Sequence, residues 1–287
     1  MFFEYKKIIR RILKKKKKHI FINKDSELKL CYEYLSERKT LGVDTEFDWR
    51  TTYKPKLSLI QIATTDRLYI IDCLKLNPHE FLRYFFESNS FLKILHAARS
   101  DATVISSCLN IKLKNVFDIQ VAEKIINEEQ IKSYGKLVYK YFGVNLEKQE
   151  TNSNWLRRPL SQSQLNYAFE DIDFLIHIFK FQTKILKKNN LLKDAYKLSK
   201  NEVLKGNKKL MDSRIEKNPR LKKKEKSIFI WREETAEKEN IPPNFVFKSK
   251  YLSKLAKLKT DDPLIKKKLI SILGSSSYAE KFIKEVL

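Results

Sequence analysis

The chain has 287 residues, 42% of them hydrophobic, which is enough apolar material for one large domain and a smaller one. Lys and Arg outnumber Asp and Glu by 59 to 35, and the net charge of +24 points to a polyanionic partner, the alternative being a solvated surface that reflects a composition biased to Lys, Ile and Asn. Three cysteines without C-x-x-C spacing (Cys31, Cys73, Cys108) indicate neither a disulfide framework nor a zinc site, so a reduced, cytoplasmic protein is expected.

Residues 1–24 carry 10 basic groups and 1 acidic group and are expected to be a basic N-terminal extension facing nucleic acid. No apolar run of secretory length follows, and no segment is long enough to span a bilayer. A surface-lying helix is the alternative, because Ile8, Ile9, Ile12 and Leu13 fall at helical spacing. Residues 26–38 read as a helix and 41–47 as a strand. In that strand Val43, Thr45 and Phe47 alternate with Asp44 and Glu46, so one face is apolar and the other carries two acids. Buried side by side, two such carboxylates must take up a proton or a cation. A turn around Thr51, Tyr53 and Pro55, expected to be mainly structural, leads into strands at 57–64 and 68–72.

Asp101 follows an apolar run (Phe91, Leu92, Ile94, Leu95) and precedes Ala102, Val104 and Ile105, which puts it near the start of a helix. Taken alone, it could be a partner for the helix dipole. His96 reads as a packed, hydrogen-bonded side chain, and Asp118 and Asp173 as solvated or capping acids. Trp155, Arg157 and Arg158 form a basic and aromatic loop suited to stacking and phosphate contacts, or else a solvated loop around a buried Trp. Tyr167 and Asp171 are four apart in a helical pattern set by Leu165, Ala168, Phe169, Ile172, Leu175 and Ile176, so they share one helix face. Oxygen ligands of this kind suit Mg²⁺ or Mn²⁺ better than zinc.

Helices and strands alternating over 25–195 argue for an α/β domain with a mixed sheet flanked by helices. This segment is nearly neutral, with 25 basic and 22 acidic residues. A basic linker is expected at 196–226. A small all-helical domain is expected at 227–287, where Leu252, Leu255 and Leu258 form a core stripe and Pro242 and Pro243 separate helices.

The stretches VDTEFDWRTTYKPKLSLIQIAT, LHAARSD, FDIQVAEKII, YGKLVYKYFGVNLEK and NWLRRPLSQSQLNYAFEDIDFL resemble the ribonuclease D family of 3′-to-5′ exonucleases, in the family's order across residues 41–176. IFIWREETAEKENIPPNFVF, YLSKLAKL and DPLIKKKLISIL resemble the helicase-and-RNase-D C-terminal domain, with Trp231, Arg232 and Glu233 at its opening. The resemblance implies a ribonuclease-H-like 3′-5′ exonuclease fold with a small helical C-terminal domain. It also implies two divalent cations, Mg²⁺ or Mn²⁺. Asp44 would be shared by both, Glu46 and Asp171 would hold the ion that activates water, Asp101 would support the second through its waters, and Tyr167 would orient the attacking water. Thr45, through its backbone, and Glu46 would meet the 3′ end. The implied activity is removal of nucleoside 5′-monophosphates from the 3′ end of RNA, precursor tRNA first among the substrates. A DNA exonuclease of the same fold is the alternative, because only a contact to the 2′-OH separates the two sugars. A non-catalytic RNA-binding protein is a further one, against which the five filled site positions weigh.

Overall fold

The computed structural model describes residues 16–127, 133–146 and 150–287. The chain divides into two compact units: one comprises the residues up to Asp48 with Leu57–Asn207, the other Trp49–Lys56 with Lys208–Leu287.

The first unit is built on six strands: β1 (Lys18–Ile22), β2 (Thr40–Asp48), β3 (Lys56–Ala63), β4 (Arg67–Asp72), β5 (Leu92–Leu95) and β6 (Val116–Asp118). Their order across the sheet is β1-β4-β3-β2-β5-β6. Strands β1 and β4, β2 and β5, and β5 and β6 pair in parallel, whereas β3 and β4 are antiparallel, so the sheet is mixed as expected. The helices are α1 (Asp25–Ser36), α2 (His79–Phe86), α3 (Arg99–Leu109), α4 (Ile119–Asn127), α5 (Tyr134–Phe142), α6 (Gln162–Asp173), α7 (Leu175–Lys188) and α8 (Leu192–Gly206).

Alternation along the strands feeds two apolar layers. Leu41, Val43, Tyr69 and Ile71 join one with Leu35, Phe85, Val104 and Ile105, while Leu68, Ile70 and Ile94 join the other with Ala168, Phe169, Ile172 and Leu175. Strand β2 lies between β3 and β5, with layers on both sides. Gly42 permits this, because a Cβ there would lie 3.1 Å from Ala63 Cβ and 3.2 Å from Leu175 Cβ.

Residues 18–22, placed by sequence in the basic extension, form the edge strand β1. Ile20 and Ile22 meet the first layer and Phe21 the second, so alternate side chains of β1 reach opposite layers despite the flanking lysines. Lys17 pairs with Asp173 at 2.7 Å. Residues 1–15 lie outside the described residues, and with them the expected surface helix.

The expected linker at 196–226 is helical over most of its length. It contains the end of α8, which packs on α3, then α9 (Leu210–Glu216) and the start of α10 (Lys223–Glu239). The second unit continues with α11 (Pro243–Val246), α12 (Leu252–Ala256), α13 (Ile265–Leu273) and α14 (Ser276–Glu285). Its core gathers Ile228, Phe229, Trp231, Leu252, Leu255, Leu269 and Phe282, and Tyr53 from the 49–56 segment is buried with them. Glu233 is fully buried yet paired twice, with Arg214 at 2.7 Å and Arg232 at 3.0 Å, as a buried charge requires. Among the described residues no helix is long and apolar enough to cross a membrane.

Candidate active site

Three half-buried carboxylates meet in the first unit. Asp44, Glu46 and Asp171 each offer an oxygen within 4.8 Å of the others. Asp44 and Glu46 are two apart on β2 and so share a face. Asp171 reaches them from α6, which packs on β2. Helix α6 begins in a capping box: the Ser161 hydroxyl accepts from the Gln164 N–H, and the Gln164 side chain accepts from the Ser161 N–H. That cap fixes where the helix starts, and so which face presents Tyr167 and Asp171.

Asp101 arrives from the other layer, in the first turn of α3, and is not among the three converging carboxylates. It is 4% exposed and accepts a hydrogen bond from the Thr45 hydroxyl at 2.7 Å. Thr45 thus spends its side chain on Asp101. Helix α3 is anchored by Asp118, which is 1% exposed and accepts the N–H groups of Ala97 (3.1 Å), Ala98 (2.8 Å) and Gln120 (2.9 Å). Ala97 sits in the left-handed region at φ 60°, a strained conformation that these bonds hold in place. His96 packs edge-on to Tyr134 at 5.8 Å and lies 3.3 Å from the Gln120 amide nitrogen.

Electrostatics mark the cluster as one that lacks positive charge of its own. Burial first, then Asp101, Asp171 and Glu46, push the Asp44 carboxyl well above the carboxylate range. Burial, then Asp171 and Asp101, lift Glu46 to about 9. Burial also raises Asp101 and Asp171 to about 7, opposed by hydrogen bonds from Thr45 and Tyr167 respectively. The Tyr167 phenol is raised by burial and then by Asp171 and Glu46, so it is a protonated donor at neutral pH. An all-carboxylate donor set whose members resist ionisation together fits hard divalent cations, which would supply the missing charge.

The basic loop divides. The Trp155 ring is 2% exposed and lies 6.0 Å from the Tyr167 ring, where it supports that side chain. Arg157 is exposed. Arg158 does not meet the expectation of a phosphate contact. Its Nε and Nη2 grip Asp72 at 2.7 and 2.8 Å, Nη2 also meets Ser58 at 3.0 Å, and Nη1 donates to the carbonyls of Trp155 and Arg157, both at 2.8 Å. With its five N–H donors engaged, this guanidinium pins the loop to the sheet. No local pattern in RRPL separates its role from that of Arg157, because the partner Asp72 lies 86 residues away.

Residues 19–187 match a family model described as 3′-5′ exonuclease, and residues 225–287 match the HRDC domain. A ribonuclease D from Desulfotalea psychrophila is 29% identical over 285 residues, covering 94% of this chain and 74% of that protein. Another, from Xanthomonas oryzae pv. oryzae, is 34% identical over 152 residues, 53% of this chain, and there the match spans only 42% of the relative's length. In three dimensions the chain resembles the crystal structure of Escherichia coli RNase D, described as an exoribonuclease involved in structured RNA processing. That match has a TM-score of 0.79 and 25% identity, and covers 93% of this chain and 72% of the other.

Proposed function

The chain belongs to the 3′-5′ exonuclease family, and from that premise we propose that it is a divalent-cation-dependent 3′-to-5′ exoribonuclease releasing nucleoside 5′-monophosphates. The observation that carries this reading is the convergence of Asp44, Glu46 and Asp171, with Asp101 and Tyr167 beside them. Asp44 would serve two Mg²⁺ or Mn²⁺ ions, Glu46 and Asp171 one of them, and Asp101 the other through water. When bound, such a pair of cations stabilises both the attacking and the leaving oxygen of a phosphodiester displacement.

The chain's own groups do the rest. Thr45 holds the Asp101 carboxylate in place by its hydroxyl. Tyr167, a protonated phenol that donates to Asp171 and lies close to Glu46, orients the attacking water by accepting from it. Glu46 and the Thr45 backbone receive the terminal 3′-OH, and exposed Arg157 offers a phosphate contact. RNA is favoured over DNA by the ribonuclease D relatives, and structured RNA such as precursor tRNA by what is said of the Escherichia coli protein. The large basic excess supports capture of a polyanion.

The test uses end-labelled RNA and DNA of one sequence, each with a 3′-OH or a 3′-phosphate, in Mg²⁺ or Mn²⁺. Stepwise shortening of the 3′-OH RNA with 5′-mononucleotide products is expected, slowed by the 3′-phosphate. Cleavage of circular RNA at a comparable rate would refute an exonuclease, and faster digestion of DNA would overturn the choice of substrate.

A further inference from the structure

We propose that the Tyr134 hydroxyl is a positioning group for the carboxylate cluster, acting as a wedge in the helix that carries Tyr167 and Asp171. The inference rests on reading Asp44, Glu46 and Asp171 as cation ligands. In a continuous α-helix each carbonyl bonds the N–H four residues on. At the end of α6 the two groups due for that bond are the Glu170 carbonyl and the Phe174 N–H. Tyr134 Oη donates to the first at 3.2 Å and accepts from the second at 3.0 Å. The hydroxyl therefore stands in the ladder where a direct bond belongs. Accordingly α6 ends at Asp173, Phe174 is a turn residue, and α7 begins at Leu175. Neither Pro nor Gly occurs between Gln162 and Lys188, so the usual sequence causes of a helix break are missing and an inserted side chain remains.

Asp171 lies inside the wedged span, and Tyr167 sits one turn earlier on the same face. The break sets the direction of the last turn of α6, and with it where the Asp171 carboxylate stands relative to Asp44 and Glu46. Beyond the break α7 is free to bring Leu175 against Gly42, two residues before Asp44 on β2. Tyr134 is itself fixed, buried in the second apolar layer with the His96 ring edge-on to it at 5.8 Å.

The alternative is that the hydroxyl is merely a satisfied buried group, and Tyr141 provides the control. It lies on the same helix α5, and its hydroxyl donates to the Glu123 side-chain carboxylate at 2.7 Å rather than to backbone, without a link to α6. Mn²⁺ binding, read by the electron paramagnetic resonance of free Mn²⁺, is compared for the wild type, Tyr134→Phe and Tyr141→Phe, with thermal melts of each. Tyr134→Phe should weaken Mn²⁺ binding roughly tenfold, as loss of a group that orients a ligand does, while Tyr141→Phe stays within about twofold. Wild-type affinity in Tyr134→Phe, or equal weakening in both variants, overturns the wedge. A wild type that binds no Mn²⁺ overturns the site reading itself, before any variant is considered. Should Tyr134→Phe not fold, the unaltered protein carries the test. Saturating Mg²⁺ should then slow hydrogen exchange at the Phe174 amide more than at the amides of α2, and equal slowing overturns the coupling.

Discussion

Filling the carboxylate cluster with a cation should expel protons in a number that the structure sets. At pH 7, Glu46, raised to about 9 chiefly by burial, holds its proton, and Asp101 and Asp171, near 7, hold about half of theirs, while Asp44 is shifted in the same direction. Glu46, Asp101 and Asp171 together then carry roughly two protons, falling to about half a proton at pH 9, and the raised Asp44 can only add to that number. Cations bind the ionised carboxylates, so Mn²⁺ should release about that many protons, and its affinity should tighten more than tenfold per pH unit near neutrality. Isothermal titration calorimetry in Pipes and in Tris, whose ionisation heats differ, reads the number directly. The same shifts set how stability depends on pH. Below about pH 3 the carboxyls are neutral in both the folded and the unfolded chain and nothing is lost. As pH climbs from about 4 through 7 and toward 9 the unfolded chain gives up protons that the fold retains, so the cation-free protein progressively loses stability. The rise in melting temperature caused by Mn²⁺ should therefore be larger at pH 8 than at pH 6. Release of fewer than about half a proton at pH 7, with Mn²⁺ demonstrably bound, would mean that these carboxylates are ionised without a cation, and the burial argument would fail.

Asp44→Asn and Asp171→Asn should each cut hydrolysis of end-labelled RNA by about a hundredfold or more while RNA binding changes little, and Tyr167→Phe should cut it by less. Turnover of either Asn variant within a few-fold of wild type would remove these residues from the site. Glu233→Gln leaves Arg214 and Arg232 without their buried partner and should destabilise the second unit by about 3 kcal/mol, seen as a lower melting temperature; an unchanged melt would show that the pairing carries no stability. A chain ending at Asn207 keeps all five site residues but loses 21 basic ones, and should show a shallower dependence of RNA affinity on salt, by about 0.7 in slope for each lost single-strand phosphate contact. An unchanged slope would make those lysines a solvated surface.

Much of the site could be read from local order along the chain. A period of two places Asp44 and Glu46 on one face of β2, a period of 3.6 places Tyr167 and Asp171 on one face of α6, and an apolar run before Asp101 puts it in the first turn of α3. These regularities belong to backbone geometry and need no knowledge of the partner. What tertiary structure alone decided concerns polar groups whose partners are far away in sequence. Arg157 and Arg158 look alike in the chain, yet one is exposed and the other is consumed by Asp72 and Ser58. Thr45 looks like an inward-facing strand residue until Asp101, 56 residues on, proves to be what it faces. Lys18–Ile22 reads as a basic arm because charge count outweighs a short alternation, and only pairing with β4 makes it a strand. The wedge of Tyr134 is the clearest case. Nothing in the sequence between Gln162 and Lys188 breaks a helix, because the group that breaks it comes from α5, and its effect exists only once packing brings the hydroxyl to the Glu170 carbonyl and the Phe174 N–H.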